Sequence, residues 1–145
     1  MSAPLRLLAE DAADLEVIAA AAQDALVRMA DVTYDKKARR FALLINRFRW
    51  ENAGAAGPYE RVRAALSFDG VLNVRARRLR QDAPDALASL LSVTFAPAEE
   101  PPAGEVRVVL AGGGEIALDV ECLDVTLIDT AQSWPTRRRP DHEQN

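Results

Sequence analysis

Histidine and cysteine are nearly missing from this sequence: among its 145 residues there is one of each, His142 and Cys122. Zinc usually takes three or four such ligands, so a His/Cys metal centre is excluded by count. A Ser-His or Cys-His nucleophile would have to recruit its histidine from the polar C-terminal run, which suits neither. A lone cysteine forms no internal disulfide. Because Cys122 continues the alternating run Ile116, Leu118, Val120, it reads as a small buried thiol in a reducing cytoplasm. Long apolar runs are missing too, and nothing approaches the roughly 18 uninterrupted apolar residues of a membrane span. The start, MSAPLRLLAEDAADLE, has no basic region ahead of an apolar stretch, so the expectation is no secretory signal and a cytoplasmic location.

The sequence does have enough apolar residues for one core. At 49% hydrophobic and 28% charged it reads as a single globular domain over residues 1–134, followed by a polar, flexible tail over 135–145. The net charge of -4 conceals a segregation. Residues 28–80 hold thirteen Lys/Arg against five Asp/Glu, whereas residues 81–136 hold one Arg against ten Asp/Glu. Either the basic half meets an anionic partner, or the two halves face each other.

Periodicity supplies the elements. Leu15, Ile18, Ala19 and Ala22 form one helical stripe, and Asp11 with Asp14 suits an N-cap and acidic first turn, so a helix is expected near residues 11–24. LVRMADVTY and RRFALLINRFRW read as a β-hairpin around a loop at Lys36 to Arg39, pairing Tyr34 with Phe41, Val32 with Leu43, Ala30 with Ile45 and Asp35 with Arg40. ENAGAAGP, residues 51–58, reads as a loop. ERVRAALSFDGVLNVRARRLR suggests a second hairpin through Phe68-Asp69-Gly70, with Gly70 left-handed. That register sets Leu66 against Leu72 and Ala64 against Val74, and it brings Arg61, Arg63, Arg75 and Arg77 together on the other face. LASLLSVTFAP reads as a mostly buried strand. EVRVVLAGGGEIALDVEC reads as a third hairpin around Gly112 to Gly114, with Leu110 on Ile116, Val108 on Leu118, Val106 on Val120 and Arg107 on Asp119. Leu123, Leu127, Ala131 and Trp134 suggest a C-terminal helix, although Val125 and Thr126 also suit a strand. The fold expected is α+β: an antiparallel sheet of about seven strands, curled or barrel-like, with an N-terminal and a C-terminal helix. By analogy, this order matches pleckstrin-homology-like barrels, which would favour a binding or adaptor module over an enzyme.

The glycine triplet is not a nucleotide loop on this reading. A Walker loop needs a Lys and a Ser or Thr after its last glycine, where this chain has Glu115, Ile116 and Ala117, and a dinucleotide loop must open a helix. No cofactor, catalytic residue or metal ligand is assigned. Glu115, Asp119 and Glu121 share an outer strand face, but about 7 Å between alternate positions is wide for an oxygen cage. What remains is the basic face: Arg47, Arg49, Trp50, Arg61, Arg63, Arg75 and Arg77. Guanidinium planes suit carboxylates and phosphates bidentately, and Trp50 offers a ring for stacking. The acidic half or a second subunit lying over these arginines explains them as well as an external anion does. Three functional readings follow: a non-catalytic module meeting an acidic protein surface or a second copy of itself, a nucleic-acid binder through the same face, and a carboxylate-based hydrolase.

TYDKKARRFALLINRFRWE, RVRAALSFDGVLNVRARRL, VLAGGGEIALDVECLDVTLIDTAQSW and TRRRPDH together resemble the uncharacterised family of small alphaproteobacterial proteins called domain of unknown function 2948. The resemblance spans about residues 5–142. It implies a bacterial, cytoplasmic, single-domain protein and carries no activity, cofactor or functional residue.

Overall fold

The computed structural model describes residues 4–50, 59–80, 82–130 and, for the backbone, 134–136. The expected loop at residues 51–58 and the tail from 137 onward lie outside the described residues. The described chain runs β1 (Arg6–Ala9), α1 (Ala12–Ala22), β2 (Leu26–Asp35), β3 (Arg40–Phe48), β4 (Tyr59–Phe68), β5 (Val71–Arg77), β6 (Leu87–Pro97), β7 (Gly104–Leu110), β8 (Glu115–Val120), β9 (Val125–Asp129) and β10 (Trp134–Thr136). All pairings are antiparallel, in the order β1-β9-β4-β3-β2-β6-β7-β8-β5, with β10 added beside β4. The terminal strands β1 and β5 do not pair with each other, so the sheet is open.

Helix α1 forms where the stripe places it. Asp11 is the N-cap and its carboxylate accepts from the Asp14 amide at 2.8 Å, while Leu15, Ile18 and Ala22 are buried. The helix packs on both β1 and β6. These strands are far apart in the sheet order, so the sheet must curl around it. The enclosed core joins Leu15 and Ile18 to Leu43, Ile45, Leu66, Leu127, Val108, Ile116 and Leu118.

Several expectations need correction. The second hairpin does not exist. β4 is paired on one side by β3 and on the other by β9, so no edge is left for β5, which pairs β8 instead. Gly70 is left-handed as expected (φ 68°), but at a corner. The Asp69 amide bonds to the Asp124 carbonyl (3.0 Å) and the Val71 amide to the Arg39 carbonyl (2.9 Å) as the chain crosses between layers. No C-terminal helix lies among the described residues. Leu127 sits in a strand whose Val125, Leu127 and Asp129 alternate inward, so period two prevails over the helical reading. With ten strands, an open sheet and no closing helix among the described residues, the pleckstrin-homology analogy loses its basis. Pro135, expected to begin the tail, lies in β10 opposite Glu60. Cys122 is exposed, because β8 ends at Val120 and the cysteine falls in the turn that follows.

The other two hairpins stand with adjusted registers. At the β2–β3 tip Tyr34 faces Phe41, Val32 faces Leu43 and Asp35 faces Arg40, but a bulge between Val27 and Val32 puts Val27, not Ala30, across from Ile45. In the β7–β8 hairpin, Val108 faces Ile116, Val106 faces Leu118 and Arg107 faces Ala117, a slip of two residues that keeps every side chain on its expected face. The Leu110 amide bonds to the Gly114 carbonyl at 2.8 Å, so the loop is Ala111-Gly112-Gly113. Gly112 (φ 89°) and Gly113 (φ 92°) both hold conformations that a side chain would strain.

Candidate functional site

The arginines singled out in the sequence fall into three environments. Arg47 points inward from β3 and is fully buried, reaching Asp129 on β9. Its Nε donates to Oδ1 at 2.8 Å and its Nη2 to Oδ2 at 2.9 Å, a bidentate clasp between strands 82 residues apart in sequence. Asp129 also accepts from the Leu5 amide at 2.7 Å and lies 3.6 Å from Arg49, itself buried. Burial pushes the Asp129 carboxyl up. The hydrogen bonds from Arg47 and Leu5 and the two guanidinium charges outweigh burial and hold it below the ordinary aspartate range. Arg47 and Arg49 are thus interior fasteners.

Arg61 and Trp50 sit at the edge of this centre. The Arg61 guanidinium donates to the Asn46 carbonyl at 3.0 Å and lies 6.0 Å from the Phe48 ring centre. Burial lowers its pKa, partly offset by Asp24. Trp50 donates from Nε1 to the Gln23 carbonyl at 3.1 Å and packs edge-on against Phe48. Its ring joins the C-terminal end of α1 to the end of β3. Arg63 lies on the outer face of β4 and meets Asp31 at 3.2 Å across β3.

Arg75 and Arg77 belong to the other layer, away from Arg61 and Arg63. On the outer face of β5, β8 and β7, Arg75 meets Glu105 at 2.7 Å and Asp119 at 2.9 Å, Arg77 meets Glu115 at 2.9 Å, and Arg107 bonds both Glu105 and Glu115. Three arginines and three carboxylates interleave on three strands. The hydrogen bonds from Arg107 and Arg75 hold Glu105 below the ordinary glutamate range. Glu121, expected on the same face, follows the end of β8 and pairs with Arg39. Among the described residues no three His, Cys, Asp or Glu side chains gather as a metal-binding group.

Two arginines that the sequence reading passed over lie differently. Arg78 and Arg80 follow the last residue of β5, beyond the reach of the β8 carboxylates. Both are exposed, and neither forms an ion pair with a described residue. They border a cleft of about 240 Å³ lined by Met29, Leu79, Ala88 and Leu110, by the exposed Leu87, and by Ala111, Gly112 and Gly114 of the turn. A Cβ on Gly113 would come within 3.5 Å of the Arg78 side chain, and one on Gly114 within 3.2 Å of Leu79. The turn therefore lies close against the segment that follows β5. Leu87 is 62% exposed, an apolar side chain left in solvent at the mouth. The signal in the sequence was RARRLR itself: once the first two arginines are matched to strand neighbours, the last two have none.

No curated protein and no solved structure matches the chain. A family model does match, over residues 5–142, and its description is protein of unknown function (DUF2948). The match takes in the buried Arg47–Asp129 centre, the outer ion-pair face and the glycine-walled cleft alike, and the chain belongs to that family.

Proposed function

We propose that the protein is a non-catalytic binding module that takes an acidic protein segment carrying an apolar side chain, in the cleft beside the glycine turn. The carrying observation is the pair of exposed guanidinium groups, Arg78 and Arg80, set without ion-pair partners among the described residues beside an apolar lining. Charged groups at a rim steer and orient a partner, and a small apolar pocket supplies the anchor. Arg75, Arg77 and Arg107 are already matched by carboxylates, which argues against a broad phosphate-binding track and for one short acidic contact. A carboxylate hydrolase would need an acid that holds its proton near neutrality. Among the described residues, Arg107 and Arg75 hold Glu105, and Arg47 and the Leu5 amide hold Asp129, in the charged form.

The test is a titration with a blocked Asp-Asp-Leu-Asp-Asp peptide, followed by backbone amide shifts. Shifts confined to Arg78–Arg80, Leu87–Ala88 and Ala111–Gly114, with affinity falling about tenfold in Arg78→Gln and again in Arg80→Gln, support the reading. Equal binding of a lysine-substituted peptide would overturn it. Tighter binding of a single-stranded oligonucleotide, abolished by salt, would transfer the site to nucleic acid.

A further inference from the structure

A different surface carries a second inference, and it shares no residue with the cleft. On the outer face of β1, β9, β4, β3 and β2 a band of uncharged side chains lies level with Ala65 and Ser67 of β4, made of Leu8, Thr126 and Ile128, Ala42 and Leu44, and Thr33, and Arg6 enters it beside Ile128. Leu8 is 54% exposed and Leu44 36%. Across the curled sheet, the outer face of β7, β8 and β5 has ion pairs at the equivalent depth. Of the two outer faces, this one is built to lose water.

Its borders carry charges of both signs, with Asp69 at one end of β4 and Arg63 toward the other. At one end of the strands lie three aspartates, Asp35, Asp69 and Asp124, together with Arg40, which bonds Asp69 at 2.8 Å, and the adjoining turn that carries Lys36, Lys37 and Arg39. Toward the other end lie three arginines, Arg6, Arg28 and Arg63, with Asp31 bonded to Arg28 and Arg63, and Asp85 bonded to Arg28. Along β4 the outward residues read Arg61, Arg63, Ala65, Ser67, and Asp69 follows just past the strand's end. A two-fold axis in the plane of the face, perpendicular to the strands and passing between Ala65 and Ser67, exchanges the two ends. It lays Arg63 of one copy over Asp69 of the other, just past the end of the facing β4.

We infer that this face is a self-complementary interface through which two copies of the chain pair sheet to sheet. Such a contact is isologous, so one patch meets itself and the assembly closes at two. Inner faces of packed sheets lie about 10 Å apart, a separation that side chains of the size of Leu8, Leu44 and Ile128 fill. The same axis carries Leu8 of one copy over Arg6 and Ile128 of the other, where a shallow depression of about 300 Å³ lies. Five strands about 4.8 Å apart, over six residues of about 3.3 Å each, give a footprint of roughly 500 Å² per copy, below the size of stable interfaces and in the range of weak, transient ones. The pairing is accordingly reversible, with dissociation constants on the order of 1 to 100 µM and a marked dependence on salt.

Sedimentation equilibrium of the full chain tests this. The wild type is expected to pass from monomer to dimer across that concentration range and to shift toward monomer as salt rises from about 0.05 to about 0.5 M. Leu44→Glu should abolish the dimer while leaving the thermal transition in place. Arg63→Glu and Asp69→Arg should each weaken it, and an equimolar mixture of the two should restore it as a heterodimer, because each reversed charge then meets its opposite. That rescue would not be seen if the substitutions acted only by perturbing the monomer. A wild type that stays monomeric throughout, or a dimer indifferent to Leu44→Glu and to both charge reversals, would overturn the inference.

Discussion

Asp129 is the residue on which the interior depends most. It accepts from Arg47 twice, from the Leu5 amide and faces Arg49, so removing its charge leaves guanidinium groups buried without their counter-ion. Breaking one partner of a buried pair typically costs about 3–5 kcal/mol, far more than an exposed pair such as Arg40–Asp69, which contributes about 0–1 kcal/mol. Urea unfolding should therefore show Asp129→Asn losing several times more stability than Asp69→Asn. The pH dependence follows from the direction of the shift. A carboxyl held below its unfolded value stabilises the fold fully above about pH 4, and that stability is lost as the pH falls through the lower folded value. Acid unfolding of the wild type should be steep in this range, and Asp129→Asn should flatten it. None of this could be read from RFRW alone. Alternation put Arg47 on the same face as Phe41, Leu43 and Ile45, which is a sign of burial, but its partner lies 82 positions on.

Gly104 marks a constraint on the β6–β7 hairpin. A Cβ there would sit 2.5 Å from the Phe95 ring and 2.6 Å from the Ala96 carbonyl oxygen. Backbone cannot swing aside as a flexible side chain can, so Gly104→Ala should destabilise by about 1–3 kcal/mol, measured as a drop in the urea midpoint at unchanged slope. Phe95→Leu in the same background should recover part of the loss by vacating the ring position. At this scale the sequence was legible wherever contacts are local. The α1 stripe and the Tyr34–Phe41 tip depend on residues within a turn or a tight loop, and both formed as read. In the glycine hairpin the alternation fixed which side chains point inward, but either Ala111–Gly113 or Gly112–Gly114 can close the loop, and the alternation is blind to a slip of two. The supposed β4–β5 hairpin failed for a non-local reason. Val62, Ala64 and Leu66 must be covered by some strand, and the pattern does not say which. Both β3 and β9 offered a matching apolar alternation and took the two edges.

Across the whole molecule, the segregation of charge is resolved largely inside the fold. β5 from the basic half pairs with β8, and β8 with β7, both from the acidic half, so Arg75 and Arg77 meet Glu105, Asp119 and Glu115, and Arg39 meets Glu121 between the layers. Of the arginine cluster inferred from a cross-strand register, Arg75 and Arg77 stand in an ion-pair ladder, Arg63 meets Asp31 in the other layer, and Arg61 donates to the Asn46 carbonyl. The site residues left over, Arg78 and Arg80, became visible only when the ladder was drawn. This yields a prediction that separates structure from recognition. Arg75→Gln with Arg77→Gln removes two cations from the edge strand, leaving Glu115 and Asp119 with fewer partners. Because the ladder is exposed, the loss of stability should be modest and should shrink as salt screens the remaining carboxylates. The cleft would keep both of its guanidinium groups, so affinity for the acidic peptide should hold within about twofold, whereas Arg78→Gln with Arg80→Gln should remove binding and leave the melting curve in place. Should the edge-strand variant lose binding as completely as the cleft variant, recognition would have to extend over the whole β5–β8–β7 face, and the two arginines past its end would be only part of it.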